Sequence, residues 1–246
     1  MFYFLSKNFW GDPWLVAMFL ASVLVIIFLR YVFVAYFYNK IFRAITKSQL
    51  NIYLTKKKQV IKEIKWSFIS SGIFTVYGAL CFWAYQQGYT SIYEEVSAYP
   101  IWYLCISPLL FLFFYETYYY WLHRWMHRPG IYKIVHHVHH QSIDTTVFTS
   151  FSFHPLEASL QFLFFPIAIF FIPMHYTIVL LVLTILTLSA VINHSGMEIF
   201  KKSFLLKNII GFSHHHLHHV EFKTNYGLYL TWWDKWMRTE SKTPLE

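Results

Sequence analysis

Long uncharged apolar runs constrain the fold of this 246-residue chain more than any other feature. Residues 13–38, 66–85 and 101–122 are almost wholly apolar. Each run is long enough for the roughly 20 residues that cross the hydrocarbon of a bilayer. Only 13% of the residues are charged, about half the fraction found in soluble domains. The chain is therefore predicted to be a multi-pass integral membrane protein. The first run is too long for a cleaved signal peptide and is interpreted as the first span.

Two shorter apolar runs, 156–172 and 176–191, are separated by Pro173, Met174 and His175. At roughly 17 residues each they are marginal for a full crossing. A short helical hairpin or a re-entrant pair is expected, and in either case both ends return to the same side. The predicted fold is all-α: a polytopic helical bundle of about four spans with a cytosolic helical cap, forming one domain over residues 1–246.

Positive charge predicts the orientation of this bundle. Eighteen of the twenty Lys and Arg residues lie in 39–65, 123–155 and 195–246, whereas the loop 86–100 carries Glu94 and Glu95 and no basic residue. The positive-inside rule places the basic segments in the cytosol, under a bacterial inner membrane or the endoplasmic reticulum. The net charge of +8 is thus an orientation signal, and nucleic-acid binding is not supported. Cys81 and Cys105 fall inside apolar runs, which predicts neither a disulfide nor a cysteine metal site.

Histidines are confined to the second half of the chain: all fourteen follow residue 122. They form His123-x3-His127, a trio at 136, 139 and 140, and a second trio at 215, 218 and 219. Residues three and four apart share one helix face, so each cluster is expected to project together from a helix. One ion takes about four to six ligands, so nine imidazoles indicate two ions. Cysteine is absent from the clusters, which favours redox iron over structural zinc. The predicted metal ligands are His123, His127, His136, His139, His140, His194, His215, His218 and His219.

Two carboxylates are predicted to support these ligands. Glu116 stands seven residues before His123, two helical turns away on the same face, inside an apolar span where an ionisable group is costly. It is expected to accept a ring N–H from a ligating histidine. Glu198, four residues after His194, is expected to do the same or to bind metal directly, unless it is an ordinary boundary residue.

The other histidines receive weaker assignments. His154 is interpreted as a tenth ligand or as a hydrogen-bonding residue at a helix boundary. Helical spacing turns three histidines away from their trios, which favours surface or supporting roles for His137, His214 and His216. The predicted topology places His175 on the opposite side of the membrane. Asp234 is interpreted as part of an interfacial anchor, together with Trp232, Trp233 and Trp236.

The histidine boxes resemble those of the fatty acid hydroxylase/sterol desaturase superfamily of membrane di-iron enzymes. The likeness covers about residues 114–239 and rests on HRWMH at His123, HHVHH at His136, FSFHPLE around His154, NHSG around His194, HHLHH at His215 and the tail VEFKTNYGLYLTWWDKWMRT. The His-Pro-Leu-Glu and Asn-Tyr-Gly steps are most similar to sterol C5-desaturases. Two positions depart from the family pattern: Arg238 stands where a glycine is usual, and His216 stands where an acidic or small residue is common.

This resemblance implies an activity. Two iron ions and O2 as co-substrate would oxidise an unactivated C–H bond of a membrane lipid, sterol-like or fatty-acyl, by desaturation or hydroxylation. The lipid would enter an apolar tunnel between the spans. Two other functions remain: a histidine-rich metal transporter, and a non-catalytic membrane protein that a metal stabilises. The gathering of histidines on one side argues against transport, which needs ionisable groups along a path through the bilayer.

Electrons are expected from an external donor. The chain has no Gly-x-Gly-x2-Gly fingerprint and no cysteine cluster for iron–sulfur. A basic face near the last box would suit an acidic partner such as a cytochrome b5 or a ferredoxin, although these lysines would equally suit anionic lipid. The face comprises Lys201, Lys202, Lys207 and Lys223.

Overall fold

The computed structural model describes residues 9–46, 57–200 and 208–243, and this part of the chain is mostly helical, with one pair of two-residue strands. The prediction of an all-α fold is confirmed. The helices are α1 (Pro13–Thr46), α2 (Lys57–Gln86), α3 (Tyr103–Met126), α4 (Ile131–Val135), α5 (Pro155–Phe171), α6 (Tyr176–Asn193), α7 (Phe212–Glu221) and α8 (Trp232–Trp236), with strands β1 (Ile92–Tyr93) and β2 (Met174–His175).

Three of the described helices are long and apolar enough to cross a bilayer: α1 over Pro13–Ile41, α2 over its whole length, and α6. The chain is an integral membrane protein. Helix α3 covers the predicted third span and has 24 residues, but it is not among the helices that are apolar enough to cross, since it contains Glu116 and a run of tyrosines. Helix α5, with 17 residues, is shorter than a span. The number of crossings stays a prediction.

The predicted bounds of the basic loop, 39–65, are wrong. Helix α1 continues to Thr46 and α2 already begins at Lys57, so helix covers most of it, while 47–56 lies outside the described residues. The segment contains no Pro or Gly to end a helix, and its Lys, Gln and Ile residues are compatible with one. Basic residues therefore extend the two helices beyond their apolar parts.

The two shorter apolar runs form helices α5 and α6, and whether they make a hairpin or a re-entrant pair stays a prediction. Strand β2 lies in the turn between them and pairs in parallel with β1, matching Ile92 with Met174 and Tyr93 with His175. The His175 ring strengthens this junction, since its Nε2 lies 2.8 Å from the carbonyl oxygen of Glu94. The segment after α2 and the turn between α5 and α6 are thus joined at one end of the bundle.

Two apolar cores hold the helices around the histidine boxes. One lies among α3, α5 and α6 and includes Phe111 and Ile169, both fully buried. The other lies among α1, α2 and the 3-10 turn Val147–Phe151, where the ring of Tyr31 stacks on Phe151 with centroids 4.8 Å apart. The second core places the segment between the second box and α5 against the spans, so the histidines sit at the junction of helices and loops.

Candidate metal centre

The structure brings all nine predicted ligands together, in two groups whose ligand atoms lie within 4.8 Å of one another. The groups adjoin, because the ring centroids of His140 and His219 are 4.5 Å apart. Eight of the nine rings are buried, and His127 is half-buried. The five-histidine group is His123, His127, His136, His140 and His218, and the four-histidine group is His139, His194, His215 and His219.

Different local structures present the three boxes. His123 lies in the last turn of α3, and His127 caps that helix with its N–H 3.2 Å from the His123 carbonyl oxygen. The third box lies on α7, as predicted. The second box does not lie on an α-helix: α4 ends at Val135, a turn follows, and His139 begins a 3-10 turn. Tertiary contacts made by these rings override the helical preference of the segment.

The rings of each trio lie close together, but each trio is divided between the two groups. His136 and His140 belong to the five-histidine group, whereas His139, between them, belongs to the other. On α7, His218 joins the first group, and His215 and His219 join the second. Each trio therefore lies on the border between the groups and contributes donors to both.

Contacts with backbone carbonyls fix the orientation of three rings. The Nδ1 atom of His123 lies 2.9 Å from the carbonyl oxygen of Tyr226. His194 makes the same contact with the carbonyl of Ala190, and His218 with that of Thr224, both at 2.7 Å. A carbonyl oxygen only accepts, so these Nδ1 atoms donate, and the Nε2 atom of each neutral ring carries a free lone pair.

These lone pairs converge. The Nε2 atoms of His123 and His136 are 3.1 Å apart, and those of His194 and His215 are also 3.1 Å apart. In the first pair, the Nδ1 atom of His136 donates a hydrogen bond to a carboxylate, so its Nε2 atom is unprotonated, as is that of His123. The two lone pairs face each other and repel unless a cation lies between them. Metal–imidazole bonds of about 2.1 Å at right angles would separate two nitrogens by about 3.0 Å. The residues present therefore fit metal ions.

Burial keeps the rings in the protonation state that metals require. It lowers the pKa of His194 to about 4, and burial together with the neighbouring His123 lowers the pKa of His127 to about 2. Neutral imidazole is the ligand form, so these groups are ready to bind metal near pH 7. Burial, with neighbouring imidazoles, also holds the pKa well below its usual range in His136, His139, His140, His215, His218 and His219.

Glu157 is the supporting carboxylate that the sequence reasoning missed. Its Oε1 lies 2.7 Å from Nδ1 of His136, and both side chains are fully buried. Gln161 donates to the same oxygen at 2.9 Å. The residue stands in the first turn of an apolar helix. The rule that singled out Glu116, a costly charge in an apolar run, identifies Glu157 equally well.

The role predicted for Glu116 is wrong. Its carboxylate accepts the backbone N–H groups of Leu228 and Tyr229 at 3.0 and 3.1 Å, and no histidine ring. Seven helical residues correspond to about 10 Å along the axis, which is too far for contact with His123. Glu116 instead fastens the tail of the chain to α3.

Glu198 lies outside both histidine groups and accepts from no histidine ring, so its predicted contact with a ligating histidine is wrong. It accepts the backbone N–H of Phe200 and of Ser213, each at 2.8 Å. Ser213 lies in the first turn of α7, whose N-cap, Gly211, has no side chain to cap it. A Cβ at Gly211 would lie 2.5 Å from Glu198, so glycine leaves room for a carboxylate that caps the helix from outside.

Asp234 is not a residue of the membrane interface but a fully buried one. It accepts the backbone N–H of Tyr226 at 2.8 Å and that of Gly227 at 2.9 Å, and the hydroxyl of Thr239 at 2.8 Å. Burial alone would raise its pKa, but these bonds and His214 lower it. Asp234 thereby holds the carbonyl of Tyr226 that orients His123. The anchor role of Trp232 and Trp236, both exposed, stays a prediction.

Arg238, which stands where the family pattern has a glycine, adopts an unusual backbone conformation. Arg238 has φ = 55°, in the left-handed region that glycine adopts without steric cost. The glycine usual at this position in the resembling family fits that conformation.

The remaining predicted histidines lie outside both groups. His154 caps α5 through Nδ1, which accepts from the N–H of Leu156 at 3.3 Å; of its two predicted roles, the boundary role is the one observed. His137 is exposed and His216 stacks on Phe212. His214 lies 3.3 Å from Asp234. His175 belongs to neither group and contacts the segment after α2.

An apolar cavity of about 730 Å³ leads to the four-histidine group, a size within the range of about 300 to 1,000 Å³ for ligand sites. His139, His194 and His215 line one end of it. Its walls come from α1, α2, α3, α5 and α6, and Ile92 and Tyr176 also line it, beside the paired strands. A lipid-sized molecule therefore has room between the helices with access to the histidines.

Comparison with known proteins places residues 108–239 under the model of the fatty acid hydroxylase family. The chain is 30% identical to Delta(7)-sterol 5(6)-desaturase ERG3B of Gibberella zeae over 73% of this chain and 55% of that protein. It is 32% identical to lathosterol oxidase of Homo sapiens, over 73% of this chain and 60% of the relative. Delta(7)-sterol 5(6)-desaturase erg3C of Aspergillus fumigatus is 30% identical, over 72% and 61%.

The match thus spans less than two thirds of the length of these relatives. No solved structure matches the chain. The resemblance seen in the histidine boxes is confirmed at the level of the family.

Proposed function

We propose that this chain, which belongs to the fatty acid hydroxylase family, oxidises a membrane lipid with two metal ions held by its nine clustered histidines. The observation that carries the proposal is the convergence of imidazole nitrogens in two adjoining buried groups, one of which lines the end of an apolar cavity. Residues 1–246 act as one integral-membrane domain in this proposal.

The proposed metals are two iron ions. The five-histidine group would hold one and the four-histidine group the other. All nine donors are imidazoles, which suit iron, copper and zinc, and the absence of cysteine disfavours a structural zinc pair. Bound iron, with O2, would supply the oxidising power needed to remove hydrogen from an unactivated C–H bond.

The chain's own residues bind and orient. Glu157 and the carbonyl of Tyr226 hold His136 and His123 with their Nε2 lone pairs directed inward. The apolar walls of the cavity exclude water and place a lipid against the four-histidine group. Whether the lipid leaves as an alkene or an alcohol then depends on how closely its neighbouring C–H groups are positioned.

The cavity and the relatives support a lipid as the substrate. The relatives carry the names of sterol desaturases and of a sterol oxidase. The cavity has room for a sterol-like or a fatty-acyl molecule. We propose either lipid as substrate, with the histidines on the cytosolic side of a bacterial inner membrane or the endoplasmic reticulum.

Electrons would come from an external protein of the cytochrome b5 or ferredoxin type. Lys223, next to the last box, is exposed and available to an acidic partner. The other lysines of the predicted face, Lys201, Lys202 and Lys207, lie outside the described residues. Turnover should require the donor and should slow as salt rises, since salt screens such encounters.

The decisive experiment measures iron and chemistry together. Protein purified in nanodiscs is loaded with Fe(II), supplied with a reduced donor and membrane lipid extract, and assayed for O2 uptake and for lipids that have lost two hydrogens or gained one oxygen. Two irons per chain with lipid-dependent O2 uptake support the proposal. Bound metal without lipid oxidation leaves a structural metal protein, and passage of metal across the membrane of proteoliposomes indicates a transporter.

A further inference from the structure

Arg30 is a charged residue in the middle of α1, in the segment Pro13–Ile41 that is apolar enough to span a membrane. It stands 17 positions after the start of α1 and 11 before Ile41, so about 16 Å of helix or more separates it from either end of the segment. A charge at this depth is costly and is generally kept for a function, with a partner to be named.

The side chain of Arg30 has no such partner in the described part of the chain. Its Nε is buried and makes no hydrogen bond there, and no ion pair to Arg30 occurs among the described residues. Arg30 lines the apolar cavity, which no Asp or Glu among the described residues lines. A charged side chain without a described partner therefore borders a space that a ligand can enter.

Arg30 is also too far from the histidines to belong to the metal centre. On the same helix Tyr38 bonds through its hydroxyl to Ser195, next to His194. Arg30 precedes Tyr38 by eight residues, which is about 12 Å along the axis. Long side chains on a helix point toward its N-terminus, away from the level of His194. Any role of Arg30 in the cavity is thus toward the substrate and not toward the metals.

We propose that Arg30 binds an anionic group, a carboxylate or a phosphate ester, of the lipid that occupies this cavity. A planar guanidinium donates two parallel hydrogen bonds to either group, and pairing neutralises both charges in the low-dielectric interior. The substrate is then an acidic acyl lipid rather than a neutral sterol, and the oxidised C–H lies several carbons from the acidic group. Binding of an anionic lipid at Arg30 is independent of the proposed function. Only the statement that the bound lipid is the substrate rests on that function.

The test is a binding measurement that needs neither metal nor turnover. Metal-free protein in phosphatidylcholine nanodiscs is titrated with a fluorescent polyene C18 fatty acid and with its methyl ester, which has the same chain without the charge. Wild type should bind the acid at least tenfold more tightly than the ester. Arg30→Gln should remove this preference and leave binding of the ester unchanged, and Arg30→Lys should retain part of it. Lys40→Gln, which removes an exposed charge from the same helix, is the matched control and should behave as wild type.

Two further arms identify the source of the anion and guard against misfolding. Displacement of the probe by oleate alone assigns a free carboxylate, and displacement by phosphatidic acid alone assigns a phosphate ester. Without bound lipid, the thermal stability of Arg30→Gln should equal or exceed that of wild type, because the substitution removes no hydrogen bond or ion pair of the guanidinium among the described residues. Equal binding of acid and ester by wild type, an acid preference that survives Arg30→Gln, or a large loss of stability in that variant overturns the proposal. An Arg30-dependent preference without lipid oxidation would instead overturn the proposed function.

Discussion

Replacing Glu157 by Gln should weaken metal binding about 10- to 100-fold. Its carboxylate lies 2.7 Å from Nδ1 of His136, and neither side chain is exposed. A hydrogen bond of this kind to a charged group contributes about 1.5 to 3 kcal/mol, and each 1.4 kcal/mol is about a factor of ten in affinity. Gln keeps the shape and an acceptor oxygen but removes the charge that fixes the His136 proton on Nδ1. Glu157→Ala should therefore lose more than Glu157→Gln.

Anaerobic competition with a chromophoric Fe(II) chelator measures this affinity directly. Glu63→Gln is the matched control, because Glu63 is buried and no histidine in the described part of the chain bonds to it. Its carboxylate accepts from the side-chain amide of Gln59 and from the hydroxyls of Ser142, Thr146 and Thr149. The substitution should lower the melting temperature but leave iron affinity within a factor of about three, well below the loss expected at Glu157. Wild-type affinity in Glu157→Gln, or an equal loss in Glu63→Gln, would refute the argument that Glu157 acts through the His136 ring.

Other perturbations give four further expectations. His194→Ala should abolish lipid oxidation and lower bound iron, whereas His175→Ala, which alters a ring outside both groups, should retain both. Metal-free protein should lose stability as pH falls below about 6.5. The unfolded state then binds protons that the buried rings do not bind, because burial lowers their pKa, to about 4 in His194. Each such histidine lowers the unfolding free energy by about 1.4 kcal/mol per pH unit. Bound metal should move this loss to lower pH in differential scanning fluorimetry. Arg238→Gly should raise the unfolding free energy by about 1 kcal/mol, by relieving φ = 55°; no gain in urea titration would contradict this. Cysteines placed at Lys57 and Glu94 should be labelled from opposite faces of sealed vesicles, and labelling from one face would refute the predicted topology.

Sequence reasoning performed best where a pattern is local. The apolar runs predicted α3, α5 and α6 closely, because the hydrophobic requirement of a span is additive along the chain. The nine clustered histidines were also found, since imidazole is the commonest metal ligand and so dense a repeat of it seldom arises without a metal site. How the trios divide between two groups was not found. The helix-face argument assumes a helix, and the second box turns instead.

Carboxylate roles were the least predictable. Sequence spacing pairs Glu116 and Glu198 with histidines, whereas both accept backbone N–H groups. It does not identify Glu157, and it places Asp234 at the membrane interface, although Asp234 is buried. Sequence spacing shows which face of a helix a carboxylate occupies, but its partner comes from another element. For Glu116 that element lies 112 residues further along the chain.

The border position of the trios has a consequence for how the protein acquires its metals. His139 and His140 are neighbours in sequence, as are His218 and His219, yet each pair is divided between the two groups. An ion bound by one group immobilises the turn and the helix that also present histidines to the other group. The second ion therefore binds to segments that are already ordered, and its binding costs less conformational entropy. Loading should then be cooperative, with one steep step in a titration and few half-filled molecules. Chains with both ions and chains with none would make up nearly the whole population.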